Sequence, residues 1–366
     1  MTAAMTAESH FAQTYAEARE KFLAAARRAG LAVQSHAHPL VGHDGEALAM
    51  DVVREGPPDA AALLVLSSAC HGVEGFCGSG LQCALLADDS LRRRARGGGV
   101  AILYLHALNP WGFSWWRRVT HENVDLNRNF PDFGRPLRRN TAYDEVAHWV
   151  VPDDWPPTAA VEQAIGRYIQ THGPREWQAA VTAGQYHHPD GMFFGGRSPT
   201  WSHLTLRAVL REHATRCARL AWIDVHTGLG PNGVGERIFA GPDDAAMLAR
   251  TRACWGEKVT SIYDGSSTSA LLSGMLFNAA LEECAQAEYT GIAIEYGTEP
   301  LPAVNDALRA DHWLAKHPEK ADAALRAAIR ARMREVFYTD TPAWKTRIVE
   351  QGLDAVRQAI DASIRR

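Results

Sequence analysis

The stretch Ala61-Ala62-Leu63-Leu64-Val65-Leu66-Ser67-Ser68-Ala69-Cys70-His71-Gly72-Val73-Glu74-Gly75 decides the fold. Its first six residues are apolar without a break. A short run of that kind reads as a strand buried on both faces, as in a parallel or mixed sheet. The run stops on a polar loop carrying a histidine and a glutamate. A helical stretch follows over about 79–94. Strand, polar loop and helix together are the repeating unit of an α/β protein.

The unit recurs along the chain. Residues 100–105 form a second apolar run, ending at His106-Ala107-Leu108-Asn109-Pro110. Residues 220–225 form a third, ending at His226-Thr227-Gly228, and 291–294 a fourth, ending at Glu295-Tyr296-Gly297. Ligands of open α/β sheets bind outside the carboxyl ends of the strands, where these polar residues fall. Upstream, 8–29 has helical spacing, and 34–55 reads as a hairpin turning at His43-Asp44-Gly45. Residues 131–200 are rich in Pro and Trp and read as an insertion with one helix near 158–171. Two helices are expected at 319–337 and 343–365, with Pro342 suited to a helix start after Thr341. The expected fold is α/β, a mixed, mostly parallel sheet flanked by helices in a single large domain. A catalytic domain would span 1–318 and a C-terminal helical extension 319–366.

Composition narrows the function. The chain has 366 residues, 46% hydrophobic and 22% charged, with a formal net charge of −4. Mean hydropathy is −0.24. These values exclude a disordered or membrane-embedded chain, and no global field would recruit nucleic acid or acidic lipid. The six cysteines form no CxxC pair, which reads as free thiols in a reducing compartment. The first 30 residues show no signal-peptide pattern, and no run of 18 uncharged apolar residues occurs. The expectation is a soluble cytoplasmic protein without nucleic-acid or membrane partners. Gly97-Gly98-Gly99 lacks a following Lys-Ser/Thr and reads as a turn, not a phosphate loop.

The chemistry-bearing residues sit at the strand ends. His71 and Glu74, three residues apart, can turn toward one cation, and His226 can supply a third ligand from a neighbouring strand. Two histidines, one carboxylate and an open fourth position make a catalytic zinc site. Asp224 shares a strand face with His226 and reads either as the holder of its tautomer or as a solvated or capping residue. Glu295 follows a strongly apolar run, so it is either a general base or half of a buried salt bridge. Arg117-Arg118 precede Asn123-Val124-Asp125-Leu126-Asn127-Arg128-Asn129-Phe130. A guanidinium fork there can hold a carboxylate or face a developing oxyanion. The adjacent His187 and His188 point to opposite faces of an extended segment, against a shared metal.

As an ordered set these motifs resemble the zinc carboxypeptidase superfamily, the group around carboxypeptidase A. The matching order is HxxE, Asp-Leu-Asn-Arg-Asn-Phe, a lone His and a Glu before Tyr-Gly. The resemblance implies that His71, Glu74 and His226 hold one Zn2+ per chain and that Glu295 is the general base and acid. It further implies that Asn127 and Arg128 bind the substrate's terminal carboxylate. Arg118 would polarise the scissile carbonyl, with Arg117 still open for that role.

The chain departs from digestive carboxypeptidases. It shows no secretory pro-segment. The gap from Glu74 to His226 is longer, and no Tyr lies between Ser266 and Glu288. The short spacing from Arg118 to Asn127-Arg128 is closer to the succinylglutamate desuccinylase and aspartoacylase branch. The pattern is most similar to a bacterial branch known mainly as a domain of unknown function. The resemblance therefore implies a zinc metallopeptidase, a metallocarboxypeptidase-like hydrolase of a C–N amide bond acting on peptides. The alternative is an N-acyl amino acid deacylase. The implied partners are a small peptide or N-acyl amino acid, and homo-oligomerisation stays open. The segment 271–278 lacks Asp and Lys, which points to an uncharged substrate side chain.

Overall fold

The computed structural model describes residues 6–365. Among them, seven strands form one sheet: β1 (Val33–Val41), β2 (Ala47–Glu55), β3 (Ala62–Ser67), β4 (Val100–His106), β5 (Arg219–Asn232), β6 (Gly235–Phe239) and β7 (Glu288–Gly297). Their order is β1-β2-β4-β3-β5-β7-β6. The four central strands β4, β3, β5 and β7 are parallel; β2 pairs antiparallel with both β4 and the edge strand β1, and β6 at the other edge pairs antiparallel with β7. The fold is the mixed, mostly parallel α/β sheet that the apolar runs predict. Leu63, Leu64, Val65 and Leu66 have no exposed surface, as central strands covered on both faces require.

Helices cover both faces. The stretch expected as one helix over 79–94 is two, Gly75–Ala87 and Asp89–Gly97. Asp88 breaks it: its backbone leaves the helical region, and its side chain caps the second helix by accepting from Leu91 N at 3.0 Å. The insertion holds three helices, not one: Thr141–Val150, Ala159–His172 and Pro174–Thr182. The long helix Pro342–Ile364 buries Trp344, Ile348, Val356 and Ile360 in the same core as the sheet. No helix of the described residues is long and apolar enough to cross a membrane.

Strand β5 runs past the expected end at His226. Its ladder with β7 breaks between Thr227 and Asn232 and then resumes. Gly228 and Gly230, at φ 135° and 96°, carry the chain through that irregularity. The result holds Thr227–Leu229 beside the carboxyl ends of β3, β5 and β7.

Candidate metal and substrate site

The loop after β3 folds back as a single 3-10 turn, Gly72–Glu74. It is bolted to the arginine segment: Gly72 N donates to Arg118 O at 3.0 Å and Val73 N to Arg117 O at 2.9 Å. Gly72 is required by close approach, since a Cβ there would lie 2.1 Å from the Gly112 backbone. His226 lies next to β3 on β5, and Glu295 is its register partner on β7. Three parallel strands thus deliver the cluster at one end of the sheet.

His71, Glu74 and His226 each offer a ligand atom, and these atoms lie within 4.8 Å of one another. His71 Nδ1 is 3.0 Å from Glu74 Oε1, and His226 Nδ1 is 3.1 Å from Glu74 Oε2 and from His71 Nδ1. Both imidazoles turn Nδ1 inward and place Nε2 on a carboxylate. His226 Nε2 meets Asp224 Oδ2 at 2.7 Å, and His71 Nε2 meets Asp125 Oδ1 at 3.2 Å. A carboxylate on the outer nitrogen fixes the tautomer whose inner nitrogen can bind metal. The donor set therefore fits a divalent cation with two nitrogen ligands and one carboxylate, the pattern of catalytic zinc.

Charges within the cluster are tightly matched. Burial alone would raise the Glu74 carboxyl, but His71, Arg118 and His226 outweigh it and hold it well below the usual range. Burial likewise opposes the charge on His226, yet Asp224 and Glu74 hold its imidazolium well above the ordinary value. A cation on Nδ1 would displace any proton held there. Arg118 reaches Glu74 Oε1 at 2.8 Å, Asp125 Oδ2 at 3.1 Å and His71 Nε2 at 2.8 Å. The last contact requires an unprotonated Nε2. The Asp125 contact requires it protonated, so the two partners compete for this nitrogen.

Glu295 accepts from Leu229 N at 3.0 Å. Burial first, and the nearby Glu74 carboxylate second, push its carboxyl up to about 7. The His226 and Arg118 charges act on it in the opposite direction but more weakly. A carboxyl poised near neutrality is suited to taking and returning a proton.

The neighbouring arginines divide their roles. Arg117 turns away to both oxygens of Asp311 at 3.0 and 2.9 Å and to Asn123 Oδ1, while Arg118 lines the pocket. Arg128 is 2% exposed. Its Nη1 donates to Asn127 O, and its Nε and Nη2 to Thr182 O. Two of its five N–H groups are left for a ligand. Its nearest carboxylate, Asp125, is 4.0 Å away and is shared with Arg118. Asn127 Oδ1 accepts from Leu276 N at 2.9 Å, which leaves Nδ2 as a donor.

The pocket extends from these polar groups into an apolar chamber lined by Trp222, Ile238, Phe239, Ile262, Phe277 and Tyr289. Phe193 of the insertion, and Leu301, Val304 and Phe337 of the C-terminal helices, complete its walls. Of the segment 271–278, Leu272, Met275, Leu276 and Phe277 line it, and none is charged.

Sequence reasoning gave Asp125 no role, although it lies inside the quoted Asp-Leu-Asn-Arg motif. It is fully buried and ties His71, Arg118 and the Asn127 amide together. Its position two residues before Asn127 was the available signal. His188 Nε2 meets Asp144 Oδ1 at 2.8 Å. Cys70, Asp224 and His226 are also near enough to share an ion. Burial and the Asp224 carboxylate push the Cys70 thiol well up, which disfavours a thiolate there unless a cation is bound. Left-handed backbone clusters here: Ala69, Trp116 and Asn123 take φ of 57°, 53° and 62°, two residues before His71, Arg118 and Asp125. Such non-glycine outliers concentrate at functional sites.

Fold and cluster define an α/β protein with two histidines and a glutamate converging at its strand ends. The chain belongs to the family described as a protein of unknown function, DUF2817, which matches residues 11–351. No curated protein matches it in sequence. Among solved structures it is similar to thrombin activatable fibrinolysis inhibitor, at 11% identity and TM-score 0.47, over 87% of this chain and 80% of that one. It is also similar to a metallo-carboxypeptidase from Burkholderia cenocepacia, at 13% identity and TM-score 0.41, over 88% and 70%. The product-bound ectoine utilization protein EutE from Ruegeria pomeroyi matches at 16% identity and TM-score 0.36, over 78% and 67%.

Proposed function

We propose that the protein is a zinc-dependent hydrolase of a C–N amide bond, of metallocarboxypeptidase type, acting on a substrate with a terminal carboxylate. One observation carries the reading. Two inward Nδ1 atoms and the Glu74 carboxylate converge beside Glu295 and Arg118, with the under-neutralised Arg128 in the same pocket. His71, Glu74 and His226 would hold the cation, whose chemistry is Lewis-acid polarisation of a carbonyl and of water.

The chain's own residues supply the rest. Arg128 and the Asn127 amide receive the substrate carboxylate, which provides the counter-charge that Arg128 lacks. The apolar chamber takes an uncharged, bulky side chain. Arg118 faces the scissile carbonyl and stabilises the charge that develops on its oxygen. Glu295 takes a proton from the attacking water and returns it to the leaving amine. The buried thiols Cys70, Cys77, Cys83, Cys217 and Cys284 support a reducing, cytoplasmic setting.

The test is mass spectrometry of a mixed panel of peptides and N-acyl amino acids. The panel is incubated with the zinc-loaded protein and with Glu295→Gln. Loss of one C-terminal apolar residue, absent in the variant, is expected. Loss of the acyl group alone would move the reading to an N-acyl amino acid deacylase. Equal cleavage by both proteins would overturn it.

A further inference from the structure

Phe193 lies in the insertion and takes a φ of 54°. That region is costly for an aromatic residue and open to glycine. The same loop places glycine at 191, 195 and 196, and Gly196 takes a φ of 82°. Glycine serves the loop's other positive-φ positions, 184 and 196, and phenylalanine this one.

The ring's neighbours indicate that role. The Arg118 guanidinium carbon is 5.3 Å from the ring centroid and that of Arg128 is 5.5 Å. One buried ring therefore faces both cations of the pocket. The electron-rich face of an aromatic ring attracts a guanidinium, and more so when desolvated. The two arginines otherwise repel one another, and Asp125 is the carboxylate they share. The backbone around Phe193 is anchored on both sides. Gln185 N donates to Phe193 O at 3.2 Å, Asp125 N to Phe194 O at 2.8 Å, and Asn129 Nδ2 to Gly195 O at 2.8 Å. The insertion is thereby pinned to the segment that carries Asp125, Asn127 and Arg128.

Resting on the function proposed above, we propose that Phe193 is a positioning residue: its ring holds Arg118 and Arg128 at a fixed separation, so that the scissile carbonyl and the terminal carboxylate of one substrate are gripped together. It acts through the arginines. The competing account is plain packing, since Phe193 also belongs to a cluster with Val146, Met192 and Phe337. Leucine or methionine keeps most of the apolar volume but offers no ring face. Tyrosine keeps the face.

The experiment is steady-state kinetics of zinc-loaded wild type, Phe193→Leu, Phe193→Met and Phe193→Tyr. The substrate is an N-acyl dipeptide with an apolar C-terminal residue and a free carboxylate, and each protein's urea midpoint is measured beside it. The expected result for Leu and Met is a ten- to hundredfold fall in kcat/KM, divided between higher KM and lower kcat, at midpoints near wild type. Tyr should stay within threefold. Activity that follows the urea midpoint across the four proteins, whatever the ring, would overturn the proposal. So would Leu and Met variants within twofold of an active wild type, which leaves the hydrolase reading standing. A wild type that cuts nothing in the panel removes both.

Discussion

The two ends of the pocket are built differently. At the cation end, His71, Glu74, Asp224, His226 and Glu295 come from the tips of three parallel strands; the outer nitrogen of His226 meets Asp224, and that of His71 meets the Asp125 that the arginines also use. At the arginine end, Arg118 and Arg128 come from irregular chain between β4 and β5. They share one aspartate and are propped by the insertion. The first end joins strand tips more than 150 residues apart in sequence and pairs its histidines with carboxylates. The second draws its two arginines and their aspartate from one short stretch and carries surplus positive charge. A pocket of this kind suits the proposed cation at one end and an anionic group of the substrate at the other.

Several perturbations separate the two ends. The largest effect is expected from Glu295→Gln, which removes the proton carrier and leaves the ligands in place. It should lower kcat by about 10²–10⁴-fold with zinc content unchanged by elemental analysis. The same residue sets an acid limb. Burial holds Glu295 up to about 7, and a bound dication favours its ionised form. The base must be deprotonated to act, so kcat/KM should fall as pH drops through the interval between about 4.5 and 7. A profile flat down to pH 4 would remove Glu295 from the role of base.

Arg128→Lys tests the other end. A point charge replaces the fork, and KM for a free-carboxylate substrate should rise about 10–100-fold. The corresponding C-terminal amide should be nearly indifferent to the change. Asp224→Asn should weaken zinc affinity about 10–100-fold by releasing His226 Nε2, measured by competition with a colorimetric chelator. Activity at saturating zinc should change far less. The smallest catalytic effect is expected from Arg117→Gln. Its partner Asp311 is buried, so the loss should appear as about 3 kcal/mol of stability in urea. Its kcat/KM should stay within about twofold of wild type. A large catalytic loss there would contradict the division between Arg117 and Arg118.

The legibility of the sequence follows the same divide. Buried strands betray themselves as unbroken apolar runs, so β3, β4 and the cores of β5 and β7 were readable with the residues that stop them. The edge strand β6, Gly-Glu-Arg-Ile-Phe, is short and half-buried, and it carries no such run. The break at Asp88 lay within continuous helical spacing, and only the capping geometry reveals it. The insertion's other two helices were hidden among prolines and tryptophans whose partners are remote in the chain. Asp125 could be read as part of a motif, but its hold on His71 depends on a contact 54 residues away. The same distance problem hid Phe193, which acts on residues 65 and more positions upstream. Residues that work through close sequence neighbours, such as Asp224 on His226, were at least open to inspection.

The most direct test of the central claim is a zinc titration of the metal-stripped protein, with proton release followed in weak buffer. The account predicts one zinc per chain, at least one proton released on binding, and loss of the site in both His71→Ala and His226→Ala. Zinc binding of equal stoichiometry and affinity in those two variants would contradict it.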